Sequence, residues 1–145
     1  MNAFNEVEIL LVEDNTEDVE MTLRALKKNR IANNILVVPD GVEALDFLYK
    51  RGKFSNIEVT SHPRIILLDI KLPRLDGKEV LRVIKTDPDK KTIPVIMLTS
   101  SKEERDIAES YQYGANSYIV KPVQFDKFTE AIREIGLYWL LLNQQ

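Results

Sequence analysis

Apolar residues in this chain cluster into short runs, separated by stretches where they recur every three or four positions. Val7–Val12, Ile65–Leu68 and Pro94–Leu98 are near-continuous apolar runs of strand length, and Ile35–Val38 and Ser117–Val120 are two more. Between them the period changes. Thr16–Asn29 sets Val19, Leu23 and Leu26 at helical spacing, and Gly41–Arg51 sets Val42, Leu45, Leu48 and Tyr49 on one face. Lys78–Thr86 carries Val80, Leu81 and Ile84 inward, Lys102–Tyr113 is a helix stopped by Gly114, and Phe125–Leu142 is the last helix. Residues 52–63 read as a loop, longer than the other connections.

Strands alternating one by one with helices predict an α/β fold with a parallel sheet. Continuous rather than alternating apolar strands are those covered on both faces. The expected architecture is therefore a doubly wound (βα)5 sandwich, flavodoxin-like, with a five-stranded sheet of order 2-1-3-4-5. Strands one and three then flank the switch point, where ligands sit beyond the carboxyl ends of the strands.

Composition narrows the picture further. The chain has 145 residues, 44% hydrophobic and 30% charged, which suits one globular domain. It has no cysteine, so neither a disulfide nor a Cys metal site is available. A formal charge of −3 gives no overall nucleic-acid footprint. The N-terminus has no signal-like basic and apolar segment, and the apolar stretch Leu137–Leu142 is far shorter than the ~20 residues that span a bilayer. A cytoplasmic location follows as the expectation, without direct nucleic-acid or membrane partners.

The chemistry lies at the strand ends. Strand one runs into Glu13 and Asp14, strand three into Asp69, strand four into Thr99 and strand five into Lys121. Crowded carboxylates repel and raise one another's pKa. A hard divalent cation such as Mg²⁺ relieves this, and the absence of His and Cys from the cluster argues against a soft-metal site. Asp69 beside such a cation is a candidate nucleophile toward phosphoryl groups, with Lys121 and Thr99 offsetting charge on the transferred oxygens. The following "LPRLDG" is turn chemistry, in which Pro73 fixes φ and Gly77 admits a positive φ; backbone carbonyls near Lys71 lie within reach of a metal shell.

These residues taken together resemble the receiver domain of two-component response regulators. The resemblance rests on Glu13–Asp14, Asp69 with "LPRLDG", Thr99, and the Lys121–Pro122 pair, and it covers essentially the whole chain. It implies Asp69 as phospho-acceptor. It implies Mg²⁺ held by Asp14, Glu13, Asp69 and the backbone carbonyl of Lys71. Thr99 would be the switch hydroxyl, Lys121 the partner of the phosphoryl group, and Tyr118 an aromatic whose rotamer follows Thr99. The Lys121–Pro122 peptide would be cis. Glu13 stands where Asp is frequent, and Lys71 places a cation beside the site. The inserted loop, "GANSYIVKPVQFDKF" and "GLYWLLLNQQ" resemble single-domain regulators paired with cyanobacterial phytochrome histidine kinases. On that reading residues 1–145 form one receiver domain with a core at 7–136, a last helix reaching about 142 and no output domain, and its partner is a sensor histidine kinase, a phytochrome.

Simpler readings stand beside these. Asp69 alone could cap a turn, and Thr99 and Ser100 could cap the fourth helix, although Ser101 is the better cap. Tyr118 could be packing, and His62 is a loop residue before Pro63. A Mg²⁺-dependent phosphatase of the haloacid-dehalogenase type also uses a strand-end Asp, a Thr and a Lys, but needs a second acid where Lys71 stands. A receiver-like module that never takes phosphate is the third alternative. Phe125, Phe128, Ile132, Ile135, Trp139 and Leu142 make a core stripe, which leaves Leu137, Tyr138, Leu140 and Leu141 off it. An exposed apolar patch marks an interface. These four residues, with Tyr111 and Tyr118, predict a homodimer through the last helix.

Overall fold

The structure, a computed structural model, describes residues 7–28, 34–57, 62–100 and 104–136. Five strands form one parallel sheet: β1 (Ile9–Val12), β2 (Ile35–Val38), β3 (Ile65–Asp69), β4 (Val95–Thr99) and β5 (Ser117–Val120). Their order is β2-β1-β3-β4-β5. The helices are α1 (Thr16–Lys28), α2 (Gly41–Tyr49), α3 (Gly77–Thr86), α4 (Glu104–Gln112) and α5 (Phe125–Glu134). This is the expected doubly wound fold, and β1 and β3 are neighbours in register, Ile9 opposite Ile65 and Val12 opposite Leu68.

Successive strand residues point to opposite faces, and the core divides accordingly. Leu10, Val12, Ile66, Leu68, Val95 and Met97 pack with Ala44, Leu45, Phe47 and Leu48 of α2 and Val80, Leu81 and Ile84 of α3. Ile9, Leu11, Ile65, Leu67, Ile96 and Leu98 pack with Leu26 of α1 and with Phe128, Ala131 and Ile132 of α5. Every residue of β1, β3 and β4 is buried, which is why these strands read as continuous apolar runs. Full burial of a side chain such as Phe128 is worth about 1.5–3 kcal/mol, so two such layers fix the sheet against both helix pairs.

Several boundaries differ from the sequence expectation. β3 and β4 each run one residue further, so Asp69 and Thr99 are the last residues of the strands themselves. An acid belongs in that last rung because Asp69, opposite Leu98, stands where the sheet opens to the cleft. β1 begins at Ile9 rather than Val7. α2 stops at Tyr49 because Lys50 takes a left-handed conformation, φ 56°, and donates its N–H back to the helix carbonyls. The loop after it contains a 3-10 turn, Gly52–Phe54, whose Phe54 is buried edge-on against Phe47 at 5.3 Å. α5 ends at Glu134, and Gly136 at φ 79° turns the chain. The expected continuation to Leu142 lies outside the described residues.

Gly77 has a different job from the one expected. The residue with positive φ in "LPRLDG" is Arg74, at 67°, held by an ion pair to the Asp40 carboxylate at 3.2 Å. Gly77 is required for closeness: a Cβ there would lie 2.0 Å from the Asp69 carbonyl oxygen. The N–H of Gly77 donates to the Ile70 carbonyl at 2.8 Å, so α3 starts directly against the end of β3.

Candidate functional site

β1 delivers Glu13 into the sheet's carboxyl edge, where it is 2% exposed, while Asp14 stays at the surface. Asn15 opens α1, accepting the Asp18 N–H on its side chain at 2.9 Å and the Val19 N–H on its carbonyl at 2.9 Å. Its own N–H donates to Glu13 Oε2 at 3.3 Å. β3 ends at Asp69, 5% exposed, and β4 at Thr99, 4% exposed. Lys121 follows β5 and is fixed by its N–H bond to the Thr99 carbonyl at 2.7 Å; the Lys121–Pro122 peptide is cis. These residues line one open cleft of about 300 Å³, together with Asp18, Lys71, Ser100 and Asp106.

Glu13, Asp14 and Asp69 each offer a carboxylate oxygen within 4.8 Å of the others. Lys121 Nζ donates to Glu13 Oε1 at 3.0 Å, to Asp18 Oδ2 at 3.0 Å and to Asp69 Oδ2 at 3.3 Å. Burial, and then the hydrogen bond and charge of Asp69, push the Glu13 carboxyl up to about 7, against the pull of Lys121. Burial disfavours the Lys121 ammonium, but the hydrogen bonds it donates to Asp18 and Glu13 and the charge of Asp69 outweigh it and raise its pKa. The cluster is therefore short of positive charge even with the lysine inside it.

That shortage tests the fit of a metal. The donors are hard oxygens, with no His or Cys among them, and an ammonium stands where a cation is needed. The residues present fit a hard divalent cation. Glu13, Asp14 and Asp69 can supply its protein oxygens.

Six of the residues singled out in the sequence, Glu13, Asp14, Asp69, Lys71, Thr99 and Lys121, share the cleft. Tyr118 does not line it; it is a half-buried residue of β5, edge-on to Tyr111 with ring centroids 6.1 Å apart. Tyr111 is 46% exposed. Leu137, Tyr138, Leu140 and Leu141 lie outside the described residues. Sequence reasoning missed Asp18 and Asp106. In the sequence Asp18 looks like an ordinary acid in a helix first turn, and only its distance to Lys121 sets it apart. Asp106 shares Lys78 with Glu109, at 3.0 and 2.8 Å, which ties α4 to α3 beside the cleft.

The fold and the cleft define a class: a doubly wound domain that presents a carboxylate nucleophile, a cation site and a lysine at its switch point. The family model for the response regulator receiver domain matches residues 9–133. The chain belongs to that family, and it is a signalling phospho-acceptor, phosphorylated on an aspartate, rather than an enzyme. It is 38% identical over 132 residues to Response regulator Rcp1 of Synechocystis sp., covering 91% of this chain and 88% of that protein. The bacteriophytochrome response regulator AtBRR shares 48% identity, with a TM-score of 0.85 over 96% of this chain and 99% of that one. The phosphorylated cyanobacterial phytochrome response regulator RcpA shares 39% identity, with a TM-score of 0.74 over 91% of this chain and 92% of that one. Rcp1 has been solved with Mn²⁺ bound. Among the described residues, no helix is long and apolar enough to cross a membrane.

Proposed function

We propose that this protein is the response partner of a phytochrome-type sensor histidine kinase, and that Asp69 is the residue that takes the phosphoryl group. The observation that carries this reading is the Lys121 ammonium held among Glu13, Asp18 and Asp69 beside a strand-end hydroxyl. The phytochrome link is supported by the similarity to AtBRR and RcpA.

In the reaction, an Asp69 carboxylate oxygen forms a bond to phosphorus as the P–N bond of the donor phosphohistidine breaks. The imidazole nitrogen leaves with the electron pair and takes up a proton. Mg²⁺, held by Asp14, Glu13, Asp69 and the Lys71 backbone carbonyl, supplies neutralisation of the phosphoryl oxygens when bound. Lys121 pairs with one phosphoryl oxygen, and the Thr99 hydroxyl moves to donate to another. Tyr118 follows into the space Thr99 vacates, and the edge contact with Tyr111 carries that movement to the surface of α4. The output is altered binding by the receiver core, residues 7–136. The aspartyl phosphate is lost by slow self-hydrolysis, and the protein works in the cytoplasm. The chain pairs as a homodimer through Tyr111 and the segment containing Leu137, Tyr138, Leu140 and Leu141. Sedimentation at tens of micromolar, with and without phosphorylation, tests the pairing, and a monomer under both conditions refutes it.

The central test is incubation with acetyl phosphate and Mg²⁺ followed by intact mass. One phosphoryl addition in the wild type, absent in Asp69→Asn and absent in EDTA, is expected. An adduct retained by Asp69→Asn refutes the assignment.

A further inference from the structure

Lys121 sits in the cleft with all three ammonium donors committed, to Glu13 Oε1, Asp18 Oδ2 and Asp69 Oδ2. An ammonium has three N–H groups and no more. A phosphoryl oxygen can therefore reach it only as partners change. Two of the three partners have duties of their own: Glu13 belongs to the cation site and Asp69 bonds to phosphorus. Asp18 has neither duty. Its backbone is fixed, because its N–H is capped by the Asn15 side chain at 2.9 Å and it lies in the first turn of α1. Asn15 is itself tied to Glu13 through its N–H at 3.3 Å. The Asp18 side chain is 29% exposed, against 13% for Lys121, so it stands at the rim and reaches inward to the ammonium.

We propose that Asp18 is a positioning residue that anchors the Lys121 ammonium beside Asp69 before, during and after phosphoryl transfer. The proposal rests on the reading of Asp69 as acceptor and Lys121 as phosphoryl partner. A lysine carries its charge on a flexible four-carbon stem. Once Glu13 turns to the metal and Asp69 to phosphorus, Asp18 is the carboxylate left to hold that stem in one geometry. Its charge acts in the opposite sense, since a further negative group opposes an incoming phosphate. Asparagine separates the two effects: it keeps an oxygen acceptor for Lys121 and sheds the charge.

Phosphorylation by acetyl phosphate with Mg²⁺, followed by intact mass, is compared in wild type, Asp18→Ala, Asp18→Asn, Lys121→Ala, Asp18→Ala/Lys121→Ala and Asp69→Asn. Anchoring predicts that Asp18→Ala slows the initial rate about tenfold or more, since misplacing a positioned group by about 1 Å can cost about 100-fold. Asp18→Asn should match or exceed the wild-type rate, and in the Lys121→Ala background Asp18→Ala should bring no further slowing, since only the opposing charge is left to remove. A second readout needs no metal: in EDTA, trace acetylation of Lys121, mapped by peptide mass, should rise more in Asp18→Ala, which frees the ammonium, than in Asp18→Asn, which keeps an acceptor for it. Asp18→Ala as fast as wild type, or slowed equally without Lys121, overturns the role of Asp18 alone. An adduct on Asp69→Asn overturns the acceptor assignment, and this role with it.

Discussion

Asp69→Asn removes one negative charge from a cluster whose balance can be worked from its distances. Glu13 and Asp14 oxygens lie within 4.8 Å of Asp69, and Lys121 Nζ lies 3.3 Å from it. At an effective dielectric constant of about 20, each carboxylate pair repels by about 3.5 kcal/mol and the lysine attracts by about 5 kcal/mol. With Glu13 ionised, two repulsions exceed one attraction. The exposed Asp14 is partly screened, so in EDTA at pH 8 the variant should be about 1–2 kcal/mol more stable. For a domain of this size that raises Tm by about 3–8 °C. Acid reverses the sign. The folded-state pKa of Glu13 is raised from 4.5 to about 7, so the stability linked to its protonation is complete below pH 4.5 and lost by pH 7. At pH 5 Glu13 is protonated, one repulsion disappears, and Asp69 is held mainly by Lys121. The variant should then be less stable than wild type. Mg²⁺ should favour wild type at pH 8, because binding stabilises the folded state and the variant has lost a ligand. Thermal melts at pH 5 and pH 8, with EDTA or Mg²⁺, make the comparison. A variant less stable than wild type at both pH values in EDTA would falsify this charge balance.

Other outcomes follow from contacts away from the charge cluster. Gly77→Ala should destabilise the fold by about 2 kcal/mol or more despite alanine's better helix propensity, because its Cβ meets backbone at 2.0 Å; a raised Tm refutes the close-approach account. The Tyr49 hydroxyl donates to Asp87, and burial first, then that bond, push its pKa up from 10.0 to about 12. Its contribution to stability is therefore present below pH 10 and lost toward pH 12, so absorbance titration should show a late tyrosinate near pH 12 that disappears in Tyr49→Phe. A titration curve unchanged by Tyr49→Phe at its alkaline end would contradict this. Phe128→Ala, at a fully buried position on the inner face of α5, should cost about 3–5 kcal/mol in denaturant unfolding; a loss under 1 kcal/mol would mean that α5 is not packed as described.

The period of the apolar residues was enough to mark the five strands and their alternation with helices, because burial on both faces leaves continuous apolar runs at β1, β3 and β4; the sheet order was expected of a doubly wound fold and is the one the structure has. It also placed Glu13, Asp14, Asp69, Thr99 and Lys121 at one edge, since a parallel sheet brings every strand's carboxyl end to the same side. What the period could not carry is distance between side chains. Asp18 reads as a solvated helix acid until α1 packs against the sheet and brings its carboxylate 3.0 Å from Lys121. Arg74 rather than Gly77 takes the positive φ, and Gly77 is needed instead because α3 lies so close to the end of β3 that a Cβ there would meet the Asp69 carbonyl oxygen at 2.0 Å. Those choices belong to the tertiary structure because they depend on how closely two elements approach, a quantity that spacing along one chain does not encode.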